Sequence, residues 1–401
     1  MDITPITKFD VQGKRLVVRA DLNVPLANGK VADATRIERF AAGMKPLLDK
    51  GARLVILTHL GRPDGEMNPE FSVDKLRPVL SRALGVPVRF SDVSTGRSAE
   101  HHANALKDGE VLLCENVRYN RGEAVNDSNL AAEYGRLGDI YVNDAFSCAH
   151  RAHASTAAIA GLMPSAAGPL LLEKIRALSA AVETPKRPAV AIVGGAKVST
   201  KIAVLKHLVR NLDAVIIGGG MANTFLFADG LPVGNSLYEA DQVKTVAEIR
   251  QLAKMAGCDV LLPTDVVCAR EFKAQADSFI TDADKCHDDA MILDAGPKSL
   301  ARFQDALANA KTILWNGPLG AFEISPFDHA TSLLARTAAD LTRSGQAVTV
   351  AGGGDTVAAL NAAGVTRAFT YVSTAGGAFL EWLEGKTLPG IAALTSADKA
   401  A

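Results

Sequence analysis

Short apolar, β-branched runs recur along this chain, and helix-patterned segments separate them. The runs fall at residues 15–19, 53–58, 86–90, 111–114 and 140–142 in the first half. In the second half they fall at 189–193, 214–217, 260–262, 312–315, 347–350 and 371–373. Runs that stay apolar without alternating fit strands covered on both faces. Helical patterns such as 34–49, 73–84, 129–135 and 170–182 lie between them. This alternation implies mostly parallel sheets with helices on both faces. A chain of 401 residues exceeds one ordinary core, so two such sheets are expected. The expected fold class is α/β: two doubly wound parallel-sheet (Rossmann-like) domains joined by a helix, bilobal with a hinge. The joining helix is 170–182, where Leu171, Ile175 and Leu178 recur at helical spacing. Pro169 stands at its start, and Pro185 and Pro188 follow its end.

In sheets of this kind ligands bind beyond the carboxyl ends of the strands. In the first half those ends carry Asp21, Asn23, His59, Arg62 and Arg118, with Arg36 and Arg151 in turn-like contexts nearby. Guanidinium forks match carboxylates and phosphates, so this edge suits a small, multiply charged anion. Asp21 and Asn23 make sense if the ligand also has a hydroxyl that needs an acceptor and a donor. The second half is different, because its strand-like runs end in glycine or tight polar turns. Examples are Gly194-Gly195, Gly218-Gly219-Gly220, Asn316-Gly317-Pro318-Leu319-Gly320 and Gly352-Gly353-Gly354-Asp355-Thr356. Such an edge lets nucleotide rings and phosphates lie against backbone amides.

Residues 189–201 read as a buried strand, a glycine turn and the first turns of a helix whose N–H groups could seat phosphate. Lys197 and Lys201, four apart, would share a face of that helix. The stretch is neither a G-x-x-x-x-G-K-[ST] loop nor the three-glycine dinucleotide fingerprint. A second helix is expected at 357–361. Asp355 at its start is paradoxical beside an anion unless Mg²⁺ bridges the two; the alternative is a helix N-cap. Glu323 could accept from ribose hydroxyls. Together the two edges imply phosphoryl transfer across a cleft between a hydroxylated polyanion and a magnesium nucleotide.

Net charge is −1, so no basic field argues for nucleic acid. The N-terminus lacks a basic start and an apolar core, so no signal peptide is expected. The weakly polar run 157–172 is broken by Gly161, Pro164, Gly168 and Pro169, too interrupted to span a bilayer. Cys114, Cys148, Cys258, Cys268 and Cys286 show no C-x-x-C spacing and are expected as free thiols in a reducing cytoplasm. His101 and His102 receive no functional reading.

The chain resembles the phosphoglycerate kinase family essentially end to end. The residues that carry the resemblance are Val18-Arg19-Ala20-Asp21-Leu22-Asn23-Val24-Pro25, Thr58-His59-Leu60-Gly61-Arg62-Pro63, Glu115-Asn116-Val117-Arg118 and His150-Arg151-Ala152-His153-Ala154-Ser155. In the second half they are the 194–201 stretch, Trp315-Asn316-Gly317-Pro318, the 352–356 turn and Leu383-Glu384-Gly385-Lys386. The resemblance implies that 3-phosphoglycerate, or 1,3-bisphosphoglycerate in the reverse sense, binds through Asp21, Asn23, Arg36, His59, Arg62, Arg118 and Arg151. It implies that ATP or ADP binds through Lys201, Asn316, Glu323, Gly353, Gly354, Asp355 and Thr356, with Mg²⁺ on Asp355 and the nucleotide phosphates. Arg36, Lys197, Lys201 and Gly376 are the implied catalytic residues, acting in direct in-line transfer without a covalent enzyme intermediate.

The implied domains are 1–168 for 3-phosphoglycerate, 169–184 as the joining helix, 185–384 for nucleotide, and a 385–401 tail returning to the first domain. A cytoplasmic glycolytic monomer without nucleic-acid or membrane partners is implied as well. One departure stands out: the family's Ser-Thr-Gly-Gly-Gly turn reads Ser373-Thr374-Ala375-Gly376-Gly377 here. The alanine methyl could crowd a close approach or restrict φ and ψ.

Three rival readings make distinct predictions. A two-lobed binding protein for phosphorylated acids explains the arginine edge but not the glycine edge with Lys201 and Asp355. A different small-molecule kinase would lack the hydroxyl-reading pair Asp21 and Asn23. An NAD-dependent dehydrogenase is disfavoured by the failed fingerprint.

Overall fold

The computed structural model describes residues 3–373 and 375–397. The chain divides into two compact units. One comprises residues up to Ile175 together with those from Thr387 on; the other runs from Arg176 to Lys386.

The first unit is built on a six-stranded sheet, parallel throughout. Its order is Val88–Ser91, Val111–Cys114, Arg53–Leu57, Arg15–Arg19, Ile140–Asn143 and Ser165–Ala167. Both faces are covered, as the unbroken apolar runs require. Leu16, Val18, Leu54 and Ile56 pack in one core with Phe40 and Met44 of the helix Thr35–Leu48. Their sequence neighbours Val17 and Val55, which face the other way, are also fully buried. In Thr35–Leu48 the buried positions are Ile37, Phe40, Ala41, Met44, Leu47 and Leu48, a single stripe at helical period. The expected helix 73–84 is a 3₁₀ turn, Val73–Leu76, followed by the helix Arg77–Leu84. The last helix, Pro389–Ala397, belongs to this unit. The Gly390 N–H donates to the Ala149 carbonyl at 2.9 Å, and Asn143 Nδ2 donates to the Gly390 carbonyl at 3.3 Å.

The second unit also has a six-stranded parallel sheet. Its order is Asp259–Leu261, Ala214–Ile217, Ala189–Val193, Thr312–Asn316, Val348–Gly352 and Tyr371–Ser373. Trp315, Phe303, Ile313 and Leu334 fill one side of it. Beside it stands an element the sequence did not announce: a three-stranded antiparallel sheet with Asp265–Ala269 between Ser278–Asp282 and Met291–Ala295. Ser278–Asp282 has only partly buried and exposed residues, so it lacks the apolar run that marks the parallel strands.

The helix Pro169–Val182 is continuous, and the division between the units falls inside it. The Asp144 carboxylate, just beyond Ile140–Asn143, accepts from the N–H groups of Leu170 and Leu171 at 2.8 and 3.1 Å. That satisfies two of the donors a helix start leaves open. All five cysteines are buried and free. The sulfurs of Cys268 and Cys286 lie 4.0 Å apart. Among the described residues no helix is long and apolar enough to cross a membrane.

Candidate functional site

The carboxyl ends of the first unit's strands converge as expected. Arg62, Arg118 and Arg151 line one cavity of about 310 Å³, together with Arg121, His153 and Glu123. Asp21, Asn23 and Arg36 form a second cluster. Arg36 donates through one nitrogen to Asp21 Oδ2 and to the Asn23 carbonyl, each at 3.0 Å. Arg36 lies in the first turn of Thr35–Leu48 rather than in a loop, which corrects the turn-like context read from the sequence. Asp21 thus has an arginine partner of its own.

The Gly61 peptide joins the two clusters. Its N–H donates to Asn23 Oδ1 at 3.1 Å, and its carbonyl accepts from Arg118 at 2.7 Å. Gly61 has φ +61°, and a Cβ there would lie 2.3 Å from the Phe71 ring, so only glycine fits. His59, 5% exposed, has its Nδ1 3.1 Å from a nitrogen of the fully buried Arg19. Burial first, then the charges of Arg19 and Arg118, hold its pKa well below the usual histidine range. Asp21, His59 and Cys148 bring potential metal-ligand atoms within 4.8 Å of one another. Those atoms already serve Arg36 and Arg19, and so many guanidinium groups make poor company for a cation.

Sequence reasoning assigned no role to Arg19, Arg121, Glu123, His153 or Ser155. Arg19 carried a signal: a charged residue follows the apolar run Leu16-Val17-Val18 directly before Ala20-Asp21. Glu123 carried none.

In the second unit, glycine turns wall a cavity of about 610 Å³. Gly195, Gly219, Gly220, Gly320, Glu323 and Asp355 all line it, with apolar surface from Leu293, Phe322 and Phe272. The 194–201 stretch differs from its reading. After Ala189–Val193 the chain bends at Gly195, which has φ +137°, is extended at Lys197, makes a 3₁₀ turn at Val198–Thr200, and becomes helical only at Ile202. Lys197 and Lys201 therefore do not share a helix face. Lys201 folds back, donating to the carbonyls of Gly194 at 2.6 Å and Asn316 at 2.9 Å. An ammonium has three donors, so one remains for a ligand. Lys197, at the head of the turn, is exposed.

Asn316, 2% exposed, gives its Nδ2 to the Gly352 carbonyl, while its Oδ1 is buried without a donor. Thr356 Oγ1 accepts from the Gly317 N–H at 2.7 Å. Gly353 stands at the cap position of the helix Gly354–Ala362. Asp355 is exposed in that helix's first turn and is not its cap. Gly376 begins the helix Gly376–Leu383 with open space where a Cβ would stand. Ala375 precedes it at φ −99°, ψ 72°, a negative φ outside the left-handed region that favours glycine, and its N–H donates to Ser373 Oγ at 3.3 Å. Thr374 of that turn lies outside the described residues.

Burial lowers the Lys201 pKa to about 8, against an opposing pull from Asp355. A phosphate would bind the ammonium and not the amine, so above about pH 8 binding must take up a proton. If Lys201 meets a nucleotide phosphate, as the resemblance implies, the dissociation constant for ATP is expected to rise with pH there, by up to about tenfold per unit. Calorimetry in two buffers of different ionisation enthalpy measures both effects. A flat profile between about pH 8 and 9.5 would contradict it.

A family model described as phosphoglycerate kinase matches residues 6–386. A phosphoglycerate kinase of Ruegeria sp. (strain TM1040) is 56% identical over 386 residues, covering 96% of this chain and 98% of that one. One from Methylorubrum extorquens (strain PA1) is 53% identical over 384 residues, 96% of each. Among solved structures, phosphoglycerate kinase from Coxiella burnetii superposes with a TM-score of 0.92 at 41% identity, covering 98% of this chain and 99% of that one. The Pyrococcus horikoshii OT3 enzyme gives 0.79 at 28% identity, with full coverage of both.

Proposed function

Because this chain belongs to the phosphoglycerate kinase family, we propose that its two sites divide one reaction between them. The chain is a glycolytic kinase that takes ATP or ADP as co-substrate with a small-molecule partner. In our reading the first unit holds 3-phosphoglycerate or 1,3-bisphosphoglycerate, on Arg62, Arg118 and Arg151 at one end and on Asp21, Asn23, Arg36 and His59 at the other. The second unit holds the nucleotide, with Lys201, Asn316, Thr356, Gly353 and Gly354 toward the phosphates and Glu323 toward the ribose. The observation that carries this reading is the contrast between the cavities, one lined by arginine and the other walled by glycine.

The chemistry asks little beyond positioning and charge. A carboxylate with pKa near ~4 is ionised at neutral pH, as is the ADP oxygen, so no general base is needed. Two bound oxygens can exchange the phosphoryl group in line, so no protein nucleophile is needed. The obstacle is that two anions must meet around a third. Arg36 neutralises the acyl-phosphate side, Lys201 the nucleotide side, and the exposed Lys197 follows the moving group. The N–H groups of Gly376 and of the helix at Gly354 offer further donors.

Magnesium commonly uses one carboxylate plus phosphate oxygens, and the exposed Asp355 on the cavity wall suits that role. Bound there, the ion would neutralise nucleotide charge. Closure of the two units about a hinge would exclude water from an acyl phosphate. We further read the protein as a cytoplasmic monomer without nucleic-acid or membrane partners.

A hydroxylamine trap tests the reaction. With 3-phosphoglycerate, Mg·ATP and hydroxylamine, hydroxamate and ADP should form together, dependent on enzyme and both substrates. ADP without hydroxamate would mean transfer to a hydroxyl, hence another kinase. Binding of both ligands with neither product would leave a binding protein.

A further inference from the structure

Behind the candidate acid site a chain of buried polar groups, Glu123, Ser155 and Arg19, leads to His59, and the proposed mechanism gives those three no role. Glu123 and Ser155 are both fully buried. Ser155 donates twice to Glu123: its hydroxyl to Oε1 at 2.5 Å and its N–H to Oε2 at 3.1 Å. The Ser155 oxygen accepts from Arg19 Nε at 2.8 Å. Arg19, itself fully buried, donates to the Ala20 carbonyl at 2.5 Å, and its remaining nitrogen meets His59 Nδ1 at 3.1 Å. These four side chains come from the end of Arg15–Arg19, the turn after Arg53–Leu57 and the two loops that carry Glu123 and Ser155.

The donor sequence runs one way. A guanidinium has no acceptor, so the His59 Nδ1 facing it must offer its lone pair. The ring proton of neutral His59 then sits on Nε2. We propose that Glu123 and Ser155 are positioning residues for the acid site, holding Arg19 so that His59 is kept as a neutral Nε2–H donor. A donor of fixed tautomer is what an oxyanion ligand requires, and no rotation or proton shift is then needed on binding. A buried arginine without a carboxylate nearby would be costly; Glu123 faces it through the serine, and although burial raises the Glu123 pKa, Arg19 and the two Ser155 donors pull toward the carboxylate. The surroundings act in the same sense. Burial first, then Arg19, Arg118, His153 and Arg36, disfavour an imidazolium at His59. Asp21 and Cys148, whose polar atoms also lie close, are engaged by Arg36 and Arg19. The kinetic consequence rests on the substrate reading given above; the tautomer does not.

The test begins with the free, unmodified protein labelled with ¹⁵N-histidine. The His59 signals are identified by their loss in His59→Gln. Long-range ¹H–¹⁵N spectra should show His59 with a bare Nδ1 and a protonated Nε2 from about pH 6 to 8. In Ser155→Ala the tautomers should mix, and KM for 3-phosphoglycerate should rise about tenfold while KM for ATP stays put. Glu123→Gln should shift both readouts the same way. An imidazolium or an Nδ1–H in the native protein overturns the proposal. So does a Ser155→Ala protein with native spectrum and kinetics, or one whose two KM values rise together. If His59→Gln leaves KM for 3-phosphoglycerate unchanged, the substrate reading of the site fails, and the kinetic role fails with it.

Discussion

Replacing Arg36 by alanine is expected to lower kcat by ~10²-fold or more, the scale of removing one preorganised charged donor from a transition state. Arg36 reaches from the first turn of Thr35–Leu48 to Asp21 Oδ2 and the Asn23 carbonyl, both at 3.0 Å. Its loss therefore acts twice. In the proposed site the positive charge facing the acyl phosphate disappears, and Asp21, with only 11% of its side chain exposed, loses its direct ion-pair partner and keeps only the fields of Arg19 and Lys174. The fold itself should barely notice. With 35% of the Arg36 side chain in solvent, the pair contributes roughly 0–1 kcal/mol. Arg36→Lys separates charge from geometry: it restores a cation but not the planar fork, and should recover only part of the rate. Steady-state kinetics in both directions, with a thermal melt as control, measure the effect. A loss in kcat below about threefold would remove Arg36 from the mechanism.

The same residue shows where the sequence was legible and where it was not. The strands were readable because a parallel sheet covered on both faces leaves long apolar runs; 15–19, 111–114, 189–193 and 214–217 coincide with observed strands. The polar residues at their carboxyl ends were readable for the same reason, since strand direction fixes which end meets the ligand. Partnerships across the chain were not readable. Nothing local tells that Asp21 pairs with Arg36, or that the Gly61 peptide ties Asn23 to Arg118. Spacing misled at Lys197 and Lys201: a four-residue interval implies a shared helix face only if the backbone is helical, and here it is extended and then 3₁₀. The antiparallel sheet around Asp265–Ala269 escaped because one of its strands lacks an apolar run. Ala375 departs from the family pattern in sequence, yet its φ of −99° is not one that requires glycine.

Glycine at 317 tests the proposed nucleotide site most severely. Gly317→Ala is expected to cut kcat/KM for ATP by ~10²-fold, because a misplacement of about 1 Å in a catalytic group has that effect. Gly317 sits at φ +109°, outside even the left-handed helical region that other residues occasionally visit. A Cβ there would lie 2.1 Å from the Gly194 carbonyl oxygen and 2.8 Å from Lys201 Nζ. Those are the two partners of one contact, since Lys201 donates to that carbonyl and to Asn316 next door. The added methyl thus strikes the cage that aims the lysine, and the only relief is to drive the two glycine turns apart. Strain and overpacking together should cost about 2–5 kcal/mol of stability. Gly345→Ala is the control. It has φ +71° with open space around the new methyl, so it carries the backbone penalty without the collision. It should lose about 1 kcal/mol and keep native kinetics. Calorimetric melts and ATP kinetics on both variants decide the matter. A folded Gly317→Ala enzyme with native kcat and KM for ATP would show that the contact between the two turns does not aim Lys201.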